Sequence, residues 1–117
     1  MLRTRLRAAL SAAMRARDAT SVAALRSSLG AIDNAEAVES GSASLSGRPA
    51  GVIAGAVSGL GAGEVERRQL TEAEMEAVVG REVAERLEAA AEYEGLGQPE
   101  AAARLRAEAE VLRAQLP

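Results

Sequence analysis

Apolar side chains recur about every fourth residue along the last third of the chain, and this spacing restricts the fold more than any other feature. It predicts a helix over residues 72–94, because this interval places the apolar side chains on one helical face. A second helix is predicted over 99–116. Thr71 and Glu74 form a capping box at the start of the first helix, and Gly97 lies in the turn between the two. A helical hairpin is therefore expected, against which the rest of the chain packs.

The first third of the chain has the same periodicity. It predicts two further helices, over residues 2–16 and 19–39, with Asp18 capping the second. The apolar positions predicted to be buried in this pair are Leu2, Leu6, Leu10, Met14, Val22, Leu25, Leu29 and Ile32.

Residues 40–70 separate the two pairs and are rich in Ser, Gly and small apolar residues, a composition typical of a linker. The predicted fold class is therefore all-α. The chain is expected to form one domain over residues 1–117, a four-helix unit made of two helical pairs joined by a long Gly/Ser-rich linker. Because it has no Phe or Trp and only one Tyr, its helices are expected to pack closely through alanine faces.

The side-chain inventory excludes most kinds of catalysis. The chain has no His, Cys or Lys, and therefore no imidazole base, thiolate nucleophile or Schiff-base amine. Glu82, Glu85, Glu88 and Glu92 follow one another along a predicted helix, but metal sites in helix bundles use inward glutamates from several helices. We interpret these glutamates as a solvated face, and the four-residue spacing of Glu82 and Arg86 predicts an ion pair between them. The sequence predicts no catalytic residue, no metal ligand and no cofactor.

Charge is distributed unevenly along the chain. Residues 1–30 carry six Arg and one Asp, whereas residues 61–117 carry seven Arg and thirteen Glu. One interpretation is that the basic and acidic helical pairs attract each other. The other is that the arginines hold phosphate groups, since a guanidinium group binds a phosphate with two parallel hydrogen bonds. The candidate nucleic-acid contacts are then Arg3, Arg7, Arg17 and Arg26.

No stretch of the sequence approaches the roughly 18 consecutive apolar residues that span a bilayer, and Arg15 and Arg17 interrupt the first apolar run. We therefore expect a soluble cytoplasmic protein with no membrane partner. A homodimer is also plausible, because four alanine-rich helices can leave an apolar groove exposed.

Three stretches of the chain resemble the YqeY-like family (the GatB/YqeY domain), whose members are similar to the tail domain of the B subunit of glutamyl/aspartyl-tRNA amidotransferase. The stretches are residues 13–37, 61–74 and 81–117. The residues similar to the family pattern are Arg17, Asp18, Leu25, Arg26, Ile32, Asn34, Ala35, Glu36, Glu82, Arg86, Tyr93, Gly97, Glu108, Leu112, Leu116 and Pro117.

The resemblance implies an all-helical fold, in which a four-helix unit is followed by a smaller helical unit that this chain is expected to lack. In the amidotransferase, the tail domain helps to hold the tRNA while other domains carry the amide chemistry. The resemblance therefore implies a non-catalytic accessory module that binds tRNA or a tRNA-amidotransferase-like complex. Carbon–nitrogen ligase activity with glutamine as amido donor is implied by the family label alone. The alternative is a protein–protein interaction module that binds no RNA.

Overall fold

The computed structural model describes residues 1–45 and 69–117, and of residues 39–45 it describes the backbone alone. These two ranges contain four α-helices and no strand. The helices are α1 (Leu2–Ala16), α2 (Ala19–Leu45), α3 (Glu72–Gly95) and α4 (Pro99–Arg113). The all-α fold class predicted from the sequence is therefore confirmed. No helix within the described ranges is long and apolar enough to cross a membrane.

Local sequence signals set the boundary between α1 and α2. Arg17 adopts the left-handed conformation, with φ of 58°, and its backbone N–H bonds to carbonyl groups in the last turn of α1. Asp18 then caps α2 as predicted, because one of its carboxylate oxygens accepts from the Ser21 backbone N–H at 3.2 Å. The Ser21 hydroxyl donates to the other oxygen at 2.7 Å. These hydrogen bonds from Ser21 lower the pKa of Asp18, since they stabilise its charged form.

The predicted capping box at the start of α3 is confirmed. The Glu74 backbone N–H donates to the Thr71 hydroxyl at 3.1 Å, and the Thr71 N–H donates to the Glu74 carboxylate at 2.8 Å. At the other end of α3, Gly97 turns the chain with φ of +75°, and Pro99 occupies the first turn of α4. Each boundary is set by a residue whose backbone preference suits the position.

The four helices pack with α2 against each of the other three. The helices α2 and α3 are antiparallel, because Glu36 contacts the chain just before α3 whereas Ser27, nearer the start of α2, contacts Glu82 farther along α3. The first residues of α1 lie beside the first residues of α3, where Glu72 accepts from the Leu2 N–H at 2.8 Å. Thus α1 and α3 start at the same end of the bundle and run in the same direction, each to the turn that closes its hairpin.

The core is aliphatic throughout the described residues. Its fully buried large side chains are Leu2, Leu6, Leu25, Ile32, Val79 and Leu112. Alanines contribute to the contacts between helices, since Ala24, Ala90 and Ala102 are completely buried. Small side chains allow helix axes to come close together, so the expectation of alanine-mediated packing agrees with this burial.

Two predicted core positions are wrong. Met14 is 49% exposed, and Ala91, which the same four-residue repeat predicts to be buried in α3, is also exposed. A strict four-residue repeat drifts around an α-helix, because 3.6 residues complete each turn. In α1 the buried face therefore passes to Ala13, and in α3 it passes to Ala90.

Two helix ends also differ from the sequence prediction. The helix α2 continues to Leu45, past the predicted end at Glu39, because extending a formed helix costs little per residue even through Ser and Gly. The start of the predicted linker is therefore helical, and residues 46–68 of that linker lie outside the described residues. The helix α4 ends at Arg113. Beyond it, the Leu116 N–H donates to the Arg113 carbonyl three residues earlier, which is the hydrogen bond of a 3₁₀ turn and not of an α-helix. Leu116 nevertheless packs against the core.

Replacing Gly30 with Ala should stabilise the protein by about 0.5–1 kcal/mol. Gly30 lies inside α2. Glycine would be needed at this position only if a neighbouring helix approached it closely. A Cβ atom built there meets nothing within 4 Å, so the change brings only the helical preference of alanine. The measurement is the midpoint of urea denaturation. Gly97→Ala is the matched control, and it should destabilise the protein because its φ of +75° disfavours a side chain. A destabilising Gly30→Ala would contradict the packing described.

Candidate nucleic-acid interface

The four arginines predicted to contact nucleic acid all lie on the α1–α2 hairpin, but the structure does not bring them to one point. Arg3 and Arg7 are one helical turn apart on α1 and line the same cleft. Arg17 lies at the α1–α2 turn, about 15 Å from Arg7 along the helix axis at 1.5 Å per residue. The arginines therefore follow the length of the hairpin and do not form a compact pocket.

Arg3 is engaged by two carboxylates of α2. Its guanidinium contacts Asp33 at 2.9 Å and Glu36 at 2.7 Å. The side chain of Glu36 is only 8% exposed, and it also accepts from the Leu70 backbone N–H at 3.1 Å. Arg3 thus neutralises a nearly buried acid that holds the start of the second helical pair against α2. A phosphate group would have to compete with both carboxylates for this guanidinium.

Arg7, Arg17 and Arg26 are exposed, and none forms an ion pair with a residue that the structure describes. Arg26 lies near the thioether of Met14, with 4.0 Å between the guanidinium nitrogen and the sulfur. Arg15 in the last turn of α1 is likewise exposed, although it is not among the four contacts predicted from the sequence. These four guanidinium groups keep their hydrogen-bond donors available to a ligand from solution.

A second group of charges lies between α2, α3 and α4. Arg86 contacts Glu82 at 2.9 Å and Glu108 at 2.9 Å, and the three side chains are 13%, 19% and 14% exposed, respectively. The hydroxyl of Ser27 donates to Glu82 at 3.1 Å. Burial disfavours the charged guanidinium of Arg86, but the hydrogen bonds to Glu82 and Glu108 outweigh it and raise the pKa of Arg86. Arg86 therefore stays charged and joins α3 to α4, while Ser27 links Glu82 to α2.

The Glu82–Arg86 ion pair confirms the pair predicted from their four-residue spacing, but the interpretation of Glu82 as part of a solvated face is wrong. Glu82 turns toward α2 and α4 because Arg86 and Ser27 supply donors there. Glu85, Glu88 and Glu92 are exposed, as expected for a solvated face. In residues 1–38 and 69–117, no group of three acidic side chains is arranged to hold a metal ion.

Polar contacts at the end of the bundle where α1 and α3 start hold α1 against the second helical pair. Glu72 accepts from the Leu2 N–H, which is one of the unpaired donors at the start of α1. Arg5 donates from two nitrogens to the Gln115 carbonyl, at 3.2 and 3.0 Å. Each contact satisfies a backbone group near a helix terminus and places a charge of the favourable sign there.

Comparison with known families identifies the chain. The family model described as Yqey-like protein matches residues 49–117, which is more than half of the sequence. The chain belongs to the YqeY-like family. Searches of curated proteins and of solved structures found no match.

The residues that carry the YqeY-like resemblance include the charged groups that hold the helices together. Glu82, Arg86 and Glu108 form the ion-pair network that joins α3 to α4, and Glu36 is the acid bound by Arg3. Two of the four predicted nucleic-acid contacts, Arg17 and Arg26, are exposed and lie outside the residues that the family model matches.

Proposed function

We propose that this YqeY-like chain is a non-catalytic accessory module that binds tRNA through the arginines of its α1–α2 hairpin. The observation that carries the proposal is the exposure of Arg7, Arg17 and Arg26 without a carboxylate partner among the described residues. Arg15 extends the same set. Arg3 contributes indirectly, because it is bound by Asp33 and Glu36 and fixes α1 against α2.

The spacing of these arginines suits an extended phosphate backbone better than a single small anion. They are distributed over about 15 Å of helix, a distance that several successive phosphates of a nucleic acid strand can follow. Tyr93 is the only aromatic residue of the chain and lies on the other hairpin, so base stacking has no aromatic platform beside these arginines. Binding should therefore follow the shape and charge of a folded RNA more than its sequence.

A role without catalysis agrees with the inventory of reactive groups. The chain has no His, Cys or Lys, and Arg86 binds two of its partly buried glutamates, Glu82 and Glu108. We propose that any amide chemistry associated with the family label belongs to other proteins or domains. This chain would act as a tRNA-holding partner of such a complex.

Exchanging Arg7 and Arg26 for Gln should weaken tRNA binding roughly tenfold at low salt and reduce the salt slope by about 1.4 to 1.8 units of log K per log salt, because two phosphate contacts are lost. The measurement is fluorescence anisotropy of labelled bulk tRNA over a salt series. The matched control is Arg81→Gln with Arg104→Gln, two exposed arginines of the other hairpin that have no ion pair in the described ranges.

Equal losses in the two double variants would contradict the assignment to the α1–α2 hairpin. Absence of tRNA binding by the unaltered chain at low salt would overturn the RNA proposal. The alternative would then be a protein-interaction module whose basic surface meets an acidic partner. In that case Arg7→Gln with Arg26→Gln should release the partner protein in a pull-down, and the control pair should retain it.

A further inference from the structure

Arg3 and Arg7 line one cleft of about 340 Å³ between α1, α2 and the start of the second helical pair. They are one helical turn apart, which separates them by about 6 Å along the axis of α1. Two guanidinium groups at this spacing can hold one phosphate group, because each carries five N–H donors in a fork. Arg7 is exposed and has no ion pair in the described ranges. Whether the cleft can hold a phosphate therefore depends on Arg3.

The two carboxylates that bind Arg3 differ in burial. Glu36 is only 8% exposed and also accepts from the Leu70 N–H, so its contact at 2.7 Å helps to hold the start of the second helical pair against α2. Asp33 is 62% exposed, and its carboxylate contacts Nη1 of the Arg3 guanidinium at 2.9 Å. Water screens an ion pair with so exposed a partner, and such a pair contributes little to stability. Asp33 can therefore leave Arg3 while Glu36 stays bound.

Asp33 lies opposite the turn of α1 that carries both arginines. The α1–α2 hairpin is antiparallel, with Arg3 beside Glu36 and Met14 near Arg26. Between these two contacts, the residues of α1 opposite Asp33 are those close to Arg7. The exposed carboxylate is thus located where an anion shared by Arg3 and Arg7 would be bound.

We propose that Asp33 occupies a phosphate site formed by Arg3 and Arg7, and that a phosphate group of the bound RNA displaces it. In the free protein, the carboxylate takes the place of phosphate oxygens at Nη1 of Arg3. When RNA binds, Glu36 retains Nη2 and keeps the guanidinium in position, while Nη1 and Arg7 bind the phosphate. Displacement is favourable because the phosphate contacts two guanidinium groups. This inference rests on the proposed function and adds Arg3 to the residues that contact the RNA.

Asp33→Asn should strengthen binding of labelled bulk tRNA about two- to fivefold at low salt, which is the contribution that an exposed ion pair makes. The gain should shrink as salt rises, because it is electrostatic. Fluorescence anisotropy measures the affinity. The midpoint of urea denaturation should change little, which separates this effect from a structural role. Glu88→Gln is the matched control, since it removes the same charge from an exposed residue of α3 that has no ion pair among the described residues.

A second background separates displacement from simple repulsion between Asp33 and the RNA. Arg3→Gln with Glu36→Gln removes the guanidinium without leaving a nearly buried carboxylate unpaired, and a glutamine at position 36 still offers an oxygen to the Leu70 N–H. Adding Asp33→Asn to this background should leave the tRNA affinity unchanged, because no guanidinium remains for Asp33 to occupy.

Circular dichroism establishes that the Arg3→Gln, Glu36→Gln background is folded. If it is not, Arg3→Lys replaces it. An ammonium group keeps a positive charge beside Glu36 but lacks the fork that binds a carboxylate and a phosphate at once. Asp33→Asn should then again give no gain.

Equal tRNA affinities of Asp33→Asn and the unaltered chain would overturn the inference, and so would an equal gain from Glu88→Gln. A gain that persists without the Arg3 guanidinium would show that Asp33 only repels the RNA, which also overturns it. In each of these cases tRNA still binds, so the proposed function stands. Absence of tRNA binding by both the unaltered chain and Asp33→Asn at low salt would instead overturn the proposed function together with this inference.

Discussion

Replacing Arg86 with Met should lower the free energy of unfolding by about 2–4 kcal/mol, because it leaves two half-buried carboxylates without their common partner. Glu82 and Glu108 are 19% and 14% exposed, and both contact the Arg86 guanidinium at 2.9 Å. Met preserves much of the aliphatic volume of Arg, so the loss reports the missing charge more than a cavity. The measurement is urea denaturation followed by circular dichroism at neutral pH.

Arg106→Met provides the matched control for Arg86. Arg106 pairs with Glu94 between the same two helices, but the two side chains are 45% and 58% exposed, so water screens the pair. Its loss should cost no more than about 1 kcal/mol. Adding Glu82→Gln and Glu108→Gln to Arg86→Met should recover part of the stability, because no unpaired carboxylate then remains. Equal losses for Arg86→Met and Arg106→Met would contradict a burial-dependent role.

Replacing Leu6 with Ala should destabilise the protein by about 2–5 kcal/mol. Leu6 is completely buried in the cluster that joins α1 to the other helices. The chain has no Phe or Trp, so each buried leucine supplies a large share of the apolar surface removed from water. The neighbouring core side chains are fixed on helices and can close the resulting cavity only in part.

Leu96→Ala is the matched control for Leu6, because it removes the same atoms from a side chain that is 71% exposed. It should change the unfolding free energy by less than about 0.5 kcal/mol. A small effect of Leu6→Ala would mean that α1 contributes little to the stability of the bundle.

The features predicted correctly from the sequence depend on residues that are close together in the chain. Asp18 caps the residues that follow it, and Thr71 and Glu74 bond to each other across three positions. The pairing of Glu82 with Arg86 is also a local consequence of one helical turn. Such contacts can be predicted from spacing because helix geometry determines the separation of the side chains.

The features that were missed depend on how the helices are placed relative to one another. The contact between Arg86 and Glu108 joins residues 22 positions apart, and that between Arg3 and Glu36 joins residues 33 apart. No local sequence pattern indicates these partners. Arg3 was therefore predicted to contact nucleic acid, whereas its two acidic neighbours could not be predicted. Arg15 was not selected, although its exposure could be inferred from its position outside the apolar stripe of α1.

The contacts that fasten α1 to the second helical pair bear on the order in which the chain folds. Each hairpin forms from residues near in sequence, whereas Glu72 meets Leu2 across 70 positions and Gln115 meets Arg5 across 110. Bringing residues so far apart in the chain together costs conformational entropy before their contacts form. Local helical contacts, by comparison, form in microseconds. The two hairpins are therefore expected to form early and to dock late, with α1 joining its distant partners in the rate-limiting step.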